Sequence, residues 1–282
     1  MPTFVRTQVI EHPIGRDGRF TLRVTSSDVV LEAVEGDTAR VEVRFEVKAS
    51  NDAEADAIFD RVKFRVNQGD GYLEVTEQKG SEGIGNLMHI FGIGNVKAET
   101  DVNASVPANA VLIYEGVSAD ITTEGFRGEQ EYRTVSGDLW LERLAGSVRV
   151  RGVSSDISIR ADEPIRLEAN TVSGDLSAFA PRFDEARVVT VSGDVELEGE
   201  LATGPQHRIE TVSGDLSLGI SGGMTLEVRG LSSDADISVP HRSEGSRDRR
   251  RYIVGDGAAS VLFSSMSGDV AARESRRFND SV

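Results

Sequence analysis

One phrase returns along this chain, and its return limits the fold more than any other feature. Thr134–Val135–Ser136–Gly137–Asp138–Leu139–Trp140–Leu141 is echoed at Val117-Ser-Ala-Asp120, Val153-Ser-Ser-Asp156, Val172-Ser-Gly-Asp175, Val191-Ser-Gly-Asp194, Val212-Ser-Gly-Asp215, Leu231-Ser-Ser-Asp234 and Met266-Ser-Gly-Asp269. Successive aspartates from Asp120 to Asp234 stand 18, 18, 19, 19, 21 and 19 residues apart. A period of that length belongs to stacked solenoid coils, in which each coil buries its apolar face against its neighbours.

Within the phrase Val135, Gly137, Leu139 and Leu141 share one parity, and Ser136, Asp138 and Trp140 the other. An extended chain points two such sets to opposite faces. The set led by valine is expected inward, as valine and leucine ladders, and the small residue at its second place marks a bend. Upstream runs alternate with the parity shifted by one, as in Val148, Val150 and Gly152 before Val153, which turns a corner. Parallel crossovers are overwhelmingly right-handed. The expected fold is therefore all-β, a right-handed β-solenoid (β-helix) with coils of 18–21 residues over residues 101–282, with a polar loop inserted near 240–256 where the period stretches to 35, read as a hairpin completed by Tyr252-Ile-Val254 and turned at Gly255-Asp-Gly257.

Residues 1–100 read as a β-rich N-terminal cap. Phe20, Leu22 and Val24 alternate, as do Val41, Val43, Phe45 and Val47, which predicts antiparallel strands over 3–48. Thr25–Leu31 already resembles the later phrase. Asn51-Asp52 caps one short helix over roughly 53–62, with Ala55, Ile58, Phe59 and Val62 as its apolar stripe. Gln68-Gly-Asp-Gly71 then turns a hairpin. Between two Gly-Ile-Gly-Asn phrases lie Leu87, Met88, His89, Ile90 and Phe91, an apolar loop that either covers one end of the core or serves docking or self-assembly.

A formal charge of −16 and a pI near 4.7 set the chain against nucleic acids, whose binding needs a basic surface, and against anionic lipid. No run is long enough to span a bilayer. The start of the chain lacks a secretory signal pattern, so the cytoplasm is the expected location and the cell envelope the alternative. Cysteine is absent, which removes disulfides and thiolate chemistry.

Val-Ser-Gly-Asp repeats on alternating strands, preceded by Asn103-Ala-Ser-Val-Pro-Ala-Asn-Ala-Val-Leu112, resemble the bacterial β-strand-repeat family of proposed adhesins, a domain of unknown function. The resemblance covers about residues 100–282 closely and the first third loosely. It implies a β-solenoid, found both inside bacterial cells and at their envelope, with no established active site.

The candidate sites follow from the repeat. Asp120, Asp138, Asp156, Asp175, Asp194, Asp215, Asp234 and Asp269 should stack along one edge, where like charges repel. Acceptance of backbone amides at the bend, the usual work of Asp in turns, or of the neighbouring Ser136, Ser173, Ser192 and Ser213 hydroxyls relieves that repulsion. A calcium ladder is the competing reading, and the nonapeptide of calcium-binding β-rolls is missing. Ser-Gly-Asp lacks the Gly-x-Ser-x-Gly elbow and a repeated histidine, and His12, His89, His207 and His241 have no metal-site spacing. No catalytic, cofactor or metal residues are therefore assigned. Interaction candidates are Leu87, Met88, Ile90, Phe91, the outward Trp140, and Arg249, Arg250 and Arg251, the sharpest positive charge on an acidic chain. The functional expectation is a non-enzymatic scaffold acting on a protein partner or by self-assembly, with an envelope adhesin as the alternative.

Overall fold

The computed structural model describes residues 2–60, 62–79, 99–246 and 249–275. Its first elements are β1 (Thr3–Pro13), β2 (Arg19–Val24), β3 (Asp28–Val34), β4 (Thr38–Lys48), helix α1 (Asp52–Phe59), β5 (Val62–Gly69), β6 (Tyr72–Lys79), β7 (Glu99–Pro107), β8 (Val111–Ser118), β9 (Ile121–Glu124) and β10 (Glu129–Ser136). Three long strands follow, β11 (Leu139–Arg151), β12 (Ile157–Asn170) and β13 (Leu176–Val189). The last nine are β14 (Val195–Leu201), β15 (Gln206–Glu210), β16 (Leu216–Ile220), β17 (Met224–Ser232), β18 (Ala235–Ile237), β19 (His241–Ser246), β20 (Arg249–Val254), β21 (Ala259–Ser267) and β22 (Val270–Glu274). The described chain is thus mostly β with one short helix, in a long, mainly parallel, solenoid-like stack.

Two parallel series build the stack. Ahead of the Val-Ser-Gly-Asp bend the order is β6–β2–β8–β10, the C-terminal halves of β11, β12 and β13, then β15–β21–β17. Beyond the bend it is β7–β3–β9, the N-terminal halves of β11, β12 and β13, then β14–β16–β22–β18. Leu139, Ile157, Leu176, Val195, Leu216 and Val270 form one interior row, each at most 2% exposed. Every member removes its side chain from water against the coils on both sides, a gain of about 1.5–3 kcal/mol per residue.

Neither end follows chain order. The Asp269 coil lies between the Asp215 coil and the Asp234 coil, because β22 pairs with β16 on one side and β18 on the other. The gap before Asp269 is therefore more than an inserted loop. β19 and β20 form an antiparallel hairpin whose second strand also pairs antiparallel with β17, after which the chain re-enters one level deeper. The opposite end is built alike: β2 sits between β6 and β8, and β3 between β7 and β9. Residues 3–48 were expected to be antiparallel throughout. β1 and β4 are, but β2 and β3 run parallel within the stack. Antiparallel β5, β4 and β1 finish one end, and β20 and β19 the other. A parallel stack left bare would offer a template for further strands, and such covers blunt it.

The short elements form for local reasons. Asn51 Oδ1 accepts the Glu54 amide at 3.0 Å and starts α1, whose Ala55, Ile58 and Phe59 are buried. The helix closes at Asp60, earlier than its apolar spacing suggests, and Val62 opens β5 instead. β5 and β6 pair as the expected hairpin.

Candidate functional site

The repeated bend has two exposed residues in succession. Val117, Val135, Val153, Val172, Val191 and Val212 are 44–49% exposed and Met266 57%, while the serine after each is exposed as well. This corrects the expected inward valine ladder. The residue facing the core is the threonine before the valine: Thr134, Thr171, Thr190 and Thr211 are all buried. Thr134 Oγ1 and Thr171 Oγ1 each donate to the carbonyl of the serine two residues on, at 3.2 Å. That bond needs the hydroxyl inside the bend, so the corner falls on Val-Ser, one residue later than parity counting places it. The valines still lie in a line. Serine-to-serine bridges run Ser136, Ser154, Ser173, Ser192, Ser213, Ser267, which fixes the register of the valine row beside them.

The aspartates do form a continuous chain of hydrogen bonds. Each backbone N–H donates to Oδ1 of the aspartate one level away, in the order Asp120, Asp138, Asp156, Asp175, Asp194, Asp215, Asp269, Asp234, at 2.7–3.1 Å. The aspartate carbonyl meanwhile accepts from the residue after the preceding aspartate, as in Leu176 N–H to Asp194 O at 2.9 Å. At the bend the main chain has no carbonyl to offer the aspartate amide, and the carboxylate stands in for it. Among the described residues no cluster of His, Asp or Glu is arranged to hold a metal ion.

This account separates acceptor from charge. Asp175→Asn keeps an Oδ1 acceptor and should lie within about 0.5 kcal/mol of the parent chain, whereas Asp175→Ala leaves the Asp194 amide without its partner and should cost about 1–2 kcal/mol. Urea unfolding of the two variants checks this; equal losses would mean that charge matters and the acceptor does not.

The other candidates are scattered. Trp140 is 40% exposed on the outer face of β11, between Thr122 and Ser158 on the adjoining strands, away from the valine row. Leu87, Met88, Ile90 and Phe91 lie outside the described residues. Arg249 and Arg251 sit in a strand, where with Arg229 they converge on the buried Glu227: Arg249 Nε is 2.7 Å from Oε1, Arg229 NH2 2.6 Å from Oε1 and Arg251 NH2 3.4 Å from Oε2. Arg250 points elsewhere, 4.0 Å from Asp234.

The Arg249 hydrogen bond, with Arg229 behind it and against the opposing cost of burial, holds the Glu227 carboxyl down to about 2. A depressed carboxylate contributes stability that is present above the ordinary carboxylate range and lost as the pH falls toward about 2. Amide protection factors in β17 and β20, which divide out the intrinsic slowing of exchange in acid, should accordingly fall between about pH 4.5 and pH 2 in the parent chain. Glu227→Gln should show lower protection factors at neutral pH and little further fall across that window; an unchanged acid profile would contradict the role given to Glu227.

The outer face ahead of the bend carries a lattice of ion pairs that sequence reading missed. Arg23 meets Glu74 and Glu115, Arg133 meets Glu115 and Glu131, and Arg149 meets Glu168. Its signal was the Arg/Glu alternation between successive coils, visible only once the register is known. Inside, the Tyr132 hydroxyl lies 3.1 Å from both Thr123 Oγ1 and Gln130 Oε1, and burial pushes its phenol up. His207 is buried with both nitrogens engaged, Nδ1 accepting from the Ala186 amide and Nε2 facing Ala202 O. These groups are structural. A groove of about 590 Å³ beside β2 and β6, lined in part by Asp17, Arg19, Asp70 and Tyr72, is open to solvent.

The Toastrack DUF4097 family profile matches residues 18–273. Among solved structures, the chain is similar to a proposed adhesin of Bacteroides fragilis (11% identity, 95% of this chain and 97% of that one, TM-score 0.40). It is also similar to a proposed lipid-binding protein of Parabacteroides distasonis (12%, 95% and 97%, TM-score 0.35). A third is a proposed cell adhesion protein of Clostridium sporogenes (10%, 96% and 100%, TM-score 0.28). No curated protein is a significant match.

Proposed function

The chain belongs to the Toastrack DUF4097 family, and from the geometry of its corner we propose that it is a non-enzymatic interaction scaffold that binds a protein partner through the flank of its stack. The observation that carries this reading is the exposed row from Val117 to Met266. A repeat that needed only to stay in water could place polar side chains there, as it does at the neighbouring serines. Seven aliphatic side chains aligned on a surface instead form a contiguous apolar strip, the kind of surface that marks a contact. The covers at both ends favour contact through the flank over end-to-end growth. Right-handed winding of the coils belongs to the same reading, on the chirality of parallel crossovers.

A photo-reactive residue at position 172, compared with one at position 158 on the outer face beyond the bend, tests this in the native host. Adducts to a protein are expected from position 172 and not from 158. Equal labelling from both positions, or none from 172, would sink the reading.

A further inference from the structure

The chemistry and pitch of the corner also say what kind of partner it fits, a step that rests on the flank-binding reading above. From Val117 through Val135, Val153, Val172, Val191 and Val212 to Met266 the row takes six steps. At the ~4.8 Å spacing of neighbouring strands it runs about 29 Å. The stripe of an amphipathic helix repeats every three or four residues, about 5.3 Å along its axis, so a helix laid along the row stays nearly in step with it. A strand laid the same way repeats its face only every ~6.6 Å and falls out of step at once. About 19 helical residues cover the row.

Charge sets the rest. Three residues on, beyond the exposed serine row, run Asp120, Asp138, Asp156, Asp175, Asp194, Asp215 and Asp269, each giving Oδ1 to the next amide. Among the described residues none of these seven is in an ion pair, in contrast to Asp234 with Arg250. On the opposite flank Arg133 and Arg151 are already paired with Glu115 and Glu131. The corner is thus an apolar strip with a one-sided anionic rim. A second copy, itself at −16 with the same rim, is repelled. The geometry points to a cationic amphipathic α-helix of a partner protein, lying along the stack with its apolar stripe on the Val117–Met266 row and its Lys or Arg side chains over the aspartates.

A fluorescent 18-residue Leu/Lys peptide with its leucines on one helical face serves as probe, and anisotropy against the full chain as readout, with a Leu/Glu peptide of the same pattern and a scrambled Leu/Lys peptide beside it. Val153→Thr/Val172→Thr/Val191→Thr keeps β-branched side chains at exposed positions, and Asp156→Asn/Asp175→Asn/Asp194→Asn keeps the Oδ1 acceptors, so both variants should fold. Each should weaken the Leu/Lys peptide tenfold or more, and neither control peptide should bind. Equal binding of the scrambled peptide, or indifference to both variants, would reduce the effect to attraction between net charges and overturn the proposal. A dimeric mass in light scattering that the valine variant converts to monomer would overturn it in favour of a second copy. Each of these results leaves the labelling contrast between positions 172 and 158, and with it the flank-binding reading, to stand or fall separately.

Discussion

Gly193→Ala is expected to cost about 3 kcal/mol or more, a large fraction of what holds a domain together. Gly193 has φ +137°, a conformation that side-chain-bearing residues rarely adopt, and a Cβ there would lie 2.1 Å from the carbonyl oxygen of Gly174 in the next coil. Both partners are backbone, so no rotamer relieves the collision. The coil would have to spread, stretching the Ser173–Ser192 bridge and the Asp194-to-Asp175 bond together. Gly204 separates strain from collision: φ is +107° but nothing lies within 4 Å, and Gly204→Ala should cost only about 1 kcal/mol. Chemical unfolding of the two variants checks the difference, and similar losses would mean that the close approach between coils does not matter.

Ending the chain after Gly257 is expected to undo more than the segment removed. Because β21 and β22 lie between β15–β16 and β17–β18, the shortened chain loses the level on which β17 and β18 rest. Hydrogen exchange should then show β17, β18 and β20 losing protection by about a hundredfold or more, while β11, β12 and β13 keep theirs. Coils stacked in chain order would leave β17 protected on β15 and β18 on β16, the opposite outcome.

The sequence spoke clearly where a side chain's surroundings repeat. Leu139, Leu176, Val195 and Leu216 could be put inside because each stands on a straight strand, where parity and face agree. The Asn51 cap and the β5–β6 hairpin were equally legible, being local. The acceptor role of the aspartates could be anticipated from turn chemistry, though not that each partner lies one coil away. Parity failed at Val135 because two consecutive residues at a bend share the outside, and the exposed apolar row went unseen for that reason. The buried threonine ahead of the valine was the available clue. Coil order at the ends was unreadable for a different reason: identical phrases carry no information about which neighbour each prefers, so Met266 beside Val212 looks no better than Leu231 beside Val212. Thr25–Leu31 resembled the phrase, yet nothing local shows that β2 and β3 slot between later strands.

Stacking order and the outward corner can be tested together, since the chain has no cysteine of its own. In Val212→Cys/Met266→Cys the two thiols are exposed and stand on adjacent coils, with Ser267 N–H bonded to Val212 O at 3.0 Å, whereas Val212→Cys/Leu231→Cys places them two coils apart, beyond the ~7 Å Cα separation that a disulfide tolerates. Mild oxidation of the folded protein should join the first pair within one chain and leave the second free. A disulfide in the 212/231 pair and none in the 212/266 pair would contradict the account.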